Sequence, residues 1–292
     1  MSTGVVLAVL VGALLHAAWN TLVKSSGDKQ LDIALVHFLG ALVALPLLVW
    51  VGLPPREAWP FLALSLLIHV AYYITLNGAY QHGDLGTTYP IMRGSAPLLV
   101  ALGSSTVLGE SLTLAAWLGV AAVTLGVLMV GLARPAEALH HRRTHQRAIG
   151  FALANAAVIA AYTFVDGSGV RLTVAGGHGA ASYVVLLFVL DGIPYPALVV
   201  AQCSAAGRRA IAAYARERWP LATLGSLASL GSYWIALWAM TRAPVAAVSA
   251  LRETSVLFAT VLSVLVLKER FGLQRATGAV VIVGGVVALR LS

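Results

Sequence analysis

Residues 93–129 read RGSAPLLVALGSSTVLGESLTLAAWLGVAAVTLGVLM, and residues 252–288 read RETSVLFATVLSVLVLKERFGLQRATGAVVIVGGVVA. Laid one over the other at a constant offset of 159 with no gap, they agree at Arg93/Arg252, Leu98/Leu257, Ser104/Ser263, Leu108/Leu267, Glu110/Glu269, Leu114/Leu273, Gly119/Gly278, Gly126/Gly285 and Val127/Val286. Apolar residues coincide easily in apolar sequence, so the weight rests on the arginine, the glutamate and the glycines, which keep their spacing. A weaker register at offset 143 lays AAWNT (17–21) on AAYTF (160–164). The chain reads as two copies of one unit.

The nature of that unit follows from composition. Of 292 residues, 59% are hydrophobic and 10% charged, and the mean hydropathy is +0.87, far from the balance of a soluble domain. A bilayer core needs about 20 apolar residues per helix. Runs of that kind fall at 4–23, 31–53, 60–80, 87–108, 113–133, 148–170, 180–203, 219–240, 245–267 and 273–290. Five runs per copy is an odd number, so the second copy must enter the membrane upside down relative to the first. The expected fold is an all-α integral membrane protein with ten transmembrane helices in two inverted five-helix repeats: 1–133, then a basic linker at 134–147, then 148–292. The stretches 134–147 and 204–218 read as long loops, and the run from Gly4 lacks the basic leader of a cleaved signal, so it reads as a retained helix.

Charge supplies orientation. Apart from Arg93 and Arg252, which lie inside spans, the face reached after the odd-numbered spans carries Lys24, Lys29, Arg134, Arg142, Arg143, Arg147, Arg208, Arg209, Arg216, Arg218, Lys268, Arg270 and Arg275, whereas the other face carries Arg56, Arg171, Arg242 and Arg290. The positive-inside rule then places both termini outside, in the periplasm of a bacterial inner membrane, and both basic segments in the cytoplasm. The net charge of +8 is spread over short loops without a basic stripe, which argues for lipid headgroups and against nucleic acid. Cys203 is the single cysteine, so no internal disulfide and no cysteine metal cluster is possible, and no cofactor is implied.

The tight turns LGE (108–110) and LKER (267–270), each followed by a Gly-rich last helix, resemble the EamA-domain branch of the drug/metabolite transporter superfamily. YPIMRGSAP (89–97) and SALRETSV (249–256) resemble one subgroup, and AAWNTLVK (17–24) resembles the family's first-helix pattern. The resemblance implies a basket of ten helices, a cavity near mid-membrane, and export or exchange of small metabolites such as amino acids. It departs at Pro97, whose repeat equivalent is Val256.

Candidate site residues come from polar groups set in apolar helices. Arg93 and Arg252 lie about 10 Å into their spans from opposite faces, where an ionisable group is expected to face the bundle interior or a water-filled cavity. Pro97 has no N–H to donate to the Arg93 carbonyl, so a broken helix is expected there. A guanidinium fork suits a carboxylate. Arg93 therefore reads either as an anion anchor or as a tie to Glu253, and Glu253 either as a proton or ammonium site or as the neutralising partner. Gly12, His16, Trp19 and Val23 form a helical stripe that offset 143 carries onto Asn155, Ile159, Tyr162 and Asp166, one wall of a cavity. Asn20 and Tyr89 belong to the same resembling motifs. His69, Tyr73, Leu76 and Tyr80 make a further stripe, and Trp234 and Trp238 stack one turn apart beside Tyr233. The expected substrate-binding set is thus His16, Trp19, Asn20, His69, Tyr73, Tyr89, Arg93, Tyr162, Trp234, Arg252 and Glu253.

Other polar groups read as structural. Trp50, Trp59 and Trp219 sit at span ends as interfacial anchors. His37 is a lone histidine on an apolar face, Asp191 a cap at the helix break made by Gly192, Pro194 and Pro196 or a cation contact, and His140, His141 and His145 near Glu137 a loop cluster. Glu110 and Glu269 precede new helices and read as their caps. A secondary transporter of a small-molecule substrate is the leading function. An intramembrane enzyme on lipid or isoprenoid substrates would need clustered acids or a nucleophile with its base, a channel a continuous polar path, and an ATP-driven pump a phosphate loop; none is visible.

Overall fold

A computed structural model describes residues 1–24, 26–83, 85–132, 142–202, 204–267 and 272–292. Expectations placed on Cys203, Glu137, His140, His141, Glu269 and the side chains of Tyr80 and His145 lie outside the described residues.

The helices are α1 (Thr3–Lys24), α2 (Lys29–Val51), α3 (Trp59–His82), α4 (Leu85–Val107) and α5 (Leu114–Gly131) in the first repeat. The second has α6 (Arg142–Ala175), α7 (Ala180–Asp191) and α8 (Pro194–Ala201) in one span, α9 (Ala205–Met240), α10 (Val245–Arg252) and α11 (Ser255–Leu267) in one span, and α12 (Leu273–Leu291). Among the described residues nine spans are long and apolar enough to cross a membrane. The tenth by position is α4, which is long enough, at 23 residues, but carries Arg93 and two prolines. The protein is a multi-pass integral membrane protein.

Side-chain caps set several helix starts. The Asp28 carboxylate accepts from the Leu31 amide at 3.0 Å to start α2, and Thr113 accepts from Ala116 at 3.1 Å to start α5, each satisfying an amide that has no intrahelical partner. Ser204 does the same for α9, accepting from Gly207 at 3.2 Å. The stretch 204–218, expected as a loop, is therefore helical and continuous with the eighth span. Its charges had masked a regular helix start, and α9 at 36 residues is about 54 Å long at 1.5 Å per residue.

The breaks also fall differently from expectation. α4 runs helically through Pro90 and Pro97, since a single proline removes one ladder bond and leaves its neighbours in place. The proline-free equivalent is the one interrupted. At Glu253 and Thr254 the backbone tightens to i→i−3 bonds, with Glu253 N to Ala250 O and Thr254 N to Leu251 O both 3.1 Å. The seventh span breaks where expected: α7 ends at Asp191 and α8 starts at Pro194, whose missing amide has no donor role at a helix start.

The packing carries the two-fold relation of the repeats. The most extensive helix contact joins α5 to α12, and α3 lies on α6 as α9 lies on α1. A Cβ on Gly126 would stand 2.7 Å from the Gly278 carbonyl, one on Gly278 2.9 Å from the Gly126 carbonyl, and one on Gly285 2.8 Å from the Gly119 carbonyl. These two contacts, Gly126 with Gly278 and Gly285 with Gly119, exchange under the offset of 159. All four repeat-matched glycines thus lie at one crossing, where small residues let two backbones meet.

Candidate functional site

A cavity lies among α1, α2, α3, α4, α6, α7, α9 and α10, to which α5 and α12 contribute no residue. It has a volume of about 120 Å³ and takes His16, Trp19 and Asn20 from α1, His37 from α2, Tyr72 and Tyr73 with His69 from α3, and Tyr89 and Arg93 from α4. The second repeat supplies Tyr162 from α6, Leu187, Phe188 and Asp191 from α7, Ser229, Ser232 and Tyr233 from α9, and Arg252 from α10. At ~10–15 Å³ per water-sized group, roughly ten such groups fit, the size of a small metabolite.

Arg93 and Glu253 form a buried ion pair, with Nη2 2.9 Å from Oε1. Arg93 Nε and Glu253 Oε2 have no hydrogen-bond partner among the described residues, so the pair leaves polar capacity beside the cavity. It joins α4 of one repeat to the tightened turn between α10 and α11 of the other. Glu253 stands behind the lining and reaches the site through Arg93. Arg252 makes no ion pair among the described residues; its guanidinium lies 5.3 Å from the centre of the Tyr233 ring. The Tyr233 hydroxyl donates to Asp166, which also accepts from Tyr183 at 2.9 Å. Asp166 is fully buried and so orients the ring on which Arg252 rests.

A second polar group faces the same space. His37 Nδ1 lies 3.1 Å from Asp191 Oδ2, and the Tyr73 hydroxyl donates to that oxygen at 3.3 Å. Tyr195 stacks on Tyr73 with ring centres 4.5 Å apart. The contact exists because Gly192 lets the end of α7 abut α2: a Cβ there would stand 2.6 Å from the His37 carbonyl. His37, read from sequence as a core histidine, and Asp191, read as a cap or a cation contact, both line the cavity. Nothing in the sequence pairs residues 154 apart; the lone acid beside Gly192 was the available signal.

The structure places the other expected residues as follows. His69 stacks on Tyr162 at 4.8 Å and bonds the Ser65 carbonyl at 2.8 Å; the Trp19 indole donates to His16 at 3.2 Å. The α6 stripe faces the cavity only at Tyr162. Asn155 lies behind it, donating to the Tyr72 carbonyl at 3.1 Å and Thr75 at 2.9 Å, and so clamps the turn that carries the α3 tyrosines. Trp234 is 42% exposed on the outer surface, because one residue's rotation along α9 turns Tyr233 inward instead.

The sequence matches the EamA-like transporter family over residues 3–132 and again over 146–291. The chain belongs to the EamA-like transporter family. It is 36% identical over 78 residues to a Sinorhizobium sp protein named "Uncharacterized transporter in cobO 3'region", an alignment of 27% of this chain that spans 55%, about half, of that relative. A solved structure described only as "Crystal structure of protein" superposes with a TM-score of 0.75 at 18% identity, over 100% of this chain and 98% of the other, and so shares its fold.

In this EamA-like transporter Glu110 does not cap the helix that follows it, since Thr113 holds that place. Both Glu110 oxygens accept from the Val245 amide at 3.0 Å, the first residue of α10, in the other repeat. Arg171 donates to Glu110 and, through Nε, to the Met240 carbonyl at 2.7 Å. This network ties the two repeats on the face that bears residues 3 and 291. Glu110→Ala is expected to lower stability by about 1–3 kcal/mol, the range for a bond to a charged group, in thermal unfolding of the detergent-solubilised protein; an unchanged midpoint would remove the capping role.

Proposed function

We propose that this transporter moves small zwitterionic metabolites of the amino-acid type by alternating access around its central cavity, as an exporter or exchanger. One observation carries the reading. The cavity sets a cation without an ion pair among the described residues, Arg252, and a carboxylate whose partners are a histidine and a tyrosine, Asp191, within one wall of aromatic rings. Arg93 and Glu253 neutralise each other, so Arg252 is left to fork onto a substrate carboxylate and Asp191 to take its ammonium. Tyr72, Tyr162 and Phe188 then hold the apolar part.

The cavity spans the middle of the helices. Asn20 is four residues from the end of α1 and Tyr89 four from the start of α4, while Tyr233 is seven from the end of α9 and Arg252 seven from the start of α10 at the opposite face. The Glu110–Arg171 network lies on the face of the termini, which is the outer one when the basic segments are inside a bacterial inner membrane. The repeats rocking about the site would open it to each face in turn.

Counterflow in proteoliposomes tests the reading, with neutral amino acids beside analogues that lack either the carboxylate or the ammonium. Neutral zwitterions exchange, and each single-charge analogue competes about tenfold or more less well, one lost charge-assisted contact being worth ~1.5–3 kcal/mol. Arg252→Gln raises half-saturation about 10–100-fold and removes the preference for a carboxylate, whereas Asp191→Asn removes the preference for an ammonium. Failure of every amino acid to exchange overturns the substrate class.

A further inference from the structure

A second cavity, of about 480 Å³, lies between α2, α8 and the first third of α9, and its lining is apolar throughout, with Leu35, Phe38, Ile193, Val200 and Ile211 among its walls. Its depth in the membrane follows from the helix ends. α2 begins at Lys29 and α8 ends at Ala201, both on the face opposite the termini, and the lining residues of each lie within about three turns of those ends. α9 is about 54 Å long against a hydrocarbon core of about 30 Å, so the part before Trp219 and Pro220 stands in the headgroup layer. The Asp32 carboxylate, 2.8 Å from Arg218 Nη2, and the Tyr214 hydroxyl, 2.7 Å from Asp32, fasten this extension to α2. The groove thus runs from Ile211 at headgroup level down to Gly192 and Phe38 at acyl level.

Its mouth is basic. Arg208, Ile211, Ala215 and Arg218 follow at spacings of three, four and three, one stripe of the helix. Arg218 is engaged by Asp32, but Arg208 is exposed, makes no ion pair among the described residues, and lies one turn beyond the apolar mouth. Arg209 and Arg216 add charge on the adjacent side, against Glu217 alone. We infer that this groove binds one anionic phospholipid, an acyl chain in the apolar channel and the phosphate at Arg208. The deep end is Gly192, which follows the cavity-lining Asp191, so the bound chain braces the α7–α8 break from the membrane side.

Native mass spectrometry of the full chain, delipidated and titrated with phosphatidylglycerol or phosphatidylcholine of identical chains, tests this. The protein is expected to retain one phosphatidylglycerol about fivefold more tightly than phosphatidylcholine, the weight of one basic residue at the headgroup level. Arg208→Gln, on an exposed helix surface, keeps one bound lipid and loses the preference. Ala197→Phe, which fills the groove, loses the tight lipid of either kind while circular dichroism stays unchanged; should it fail to fold, Ala34→Leu replaces it. Equal retention of both lipids by the unaltered protein, a preference that survives Arg208→Gln, or a dimer in light scattering that Ala197→Phe dissociates would each overturn the assignment.

Discussion

Glu253→Gln and Arg93→Gln each lower the stability of the folded protein by about 3–5 kcal/mol, the cost of stranding one member of a buried ion pair, whereas the double substitution costs less than the sum of the two. The expectation follows from position. Both side chains are nearly excluded from solvent, at 9% and 4% exposure, and meet at 2.9 Å, so neither loses its charge to water when the other is removed. The unpartnered Nε and Oε2 mean that the pair is incompletely satisfied, and removing both charges at once relieves that cost. Reversible unfolding in mixed detergent micelles, arranged as a double-mutant cycle, reads the coupling. Additive single effects would show that the two groups do not act as a pair. The bond also joins α4 to the α10–α11 turn, so counterflow should slow in the single variants more than half-saturation changes. That split separates this pair from Arg252, where half-saturation carries the effect.

How much of this was legible in the sequence divides along the range of the interactions. Arg93 stood out because a charge in an apolar helix is costly, Glu110 because it opens the turn to the next helix, and their recurrence at Arg252 and Glu269 disclosed the repeat. Partners were harder to read. Glu110 was assigned to the helix next to it in the chain, yet it caps α10, because the turn after α4 abuts the start of α10 in the folded protein. Pro97 drew the expected break to α4, whereas the backbone yields at Glu253, the buried acid that meets Arg93. His37 and Asp191 come from different repeats, and their meeting depends on a glycine contact that no local pattern reports. Tyr233 and Trp234 differ by one residue, about 100° around a helix, so span boundaries good to a few residues did not settle which faces inward. The α9 extension was hidden by its arginines, which read as a loop until Ser204 was seen to cap it.

The glycine crossing gives the sharpest packing prediction. Gly126→Ala is expected to cost about 3 kcal/mol, the upper part of the range for overpacking, and Gly126→Leu to prevent assembly of the ten-helix fold. The new Cβ would stand 2.5 Å from Ile282 Cγ1, 2.7 Å from the Gly278 carbonyl and 2.9 Å from the Ile282 amide nitrogen. A side chain alone could rotate away, but two of these three atoms are backbone, so α5 and α12 must separate. Separation opens the matching contact one repeat step along, where a Cβ on Gly285 meets the Gly119 carbonyl at 2.8 Å. Gly285→Ala should therefore match Gly126→Ala in size, as the two positions exchange under the repeat. Gly284 supplies the control: it neighbours Gly285 on α12, yet nothing lies within 4 Å of its Cβ position. Gly284→Ala should change stability by no more than about 0.5 kcal/mol, as for surface sites generally. Unfolding midpoints of the three alanine variants decide the matter. Equal losses at Gly284 and Gly285 would show that the contact with Gly119 is not the cause, since helix propensity favours alanine over glycine and would raise stability at both, and a tolerated Gly126→Leu would show that the two helices do not meet backbone to backbone.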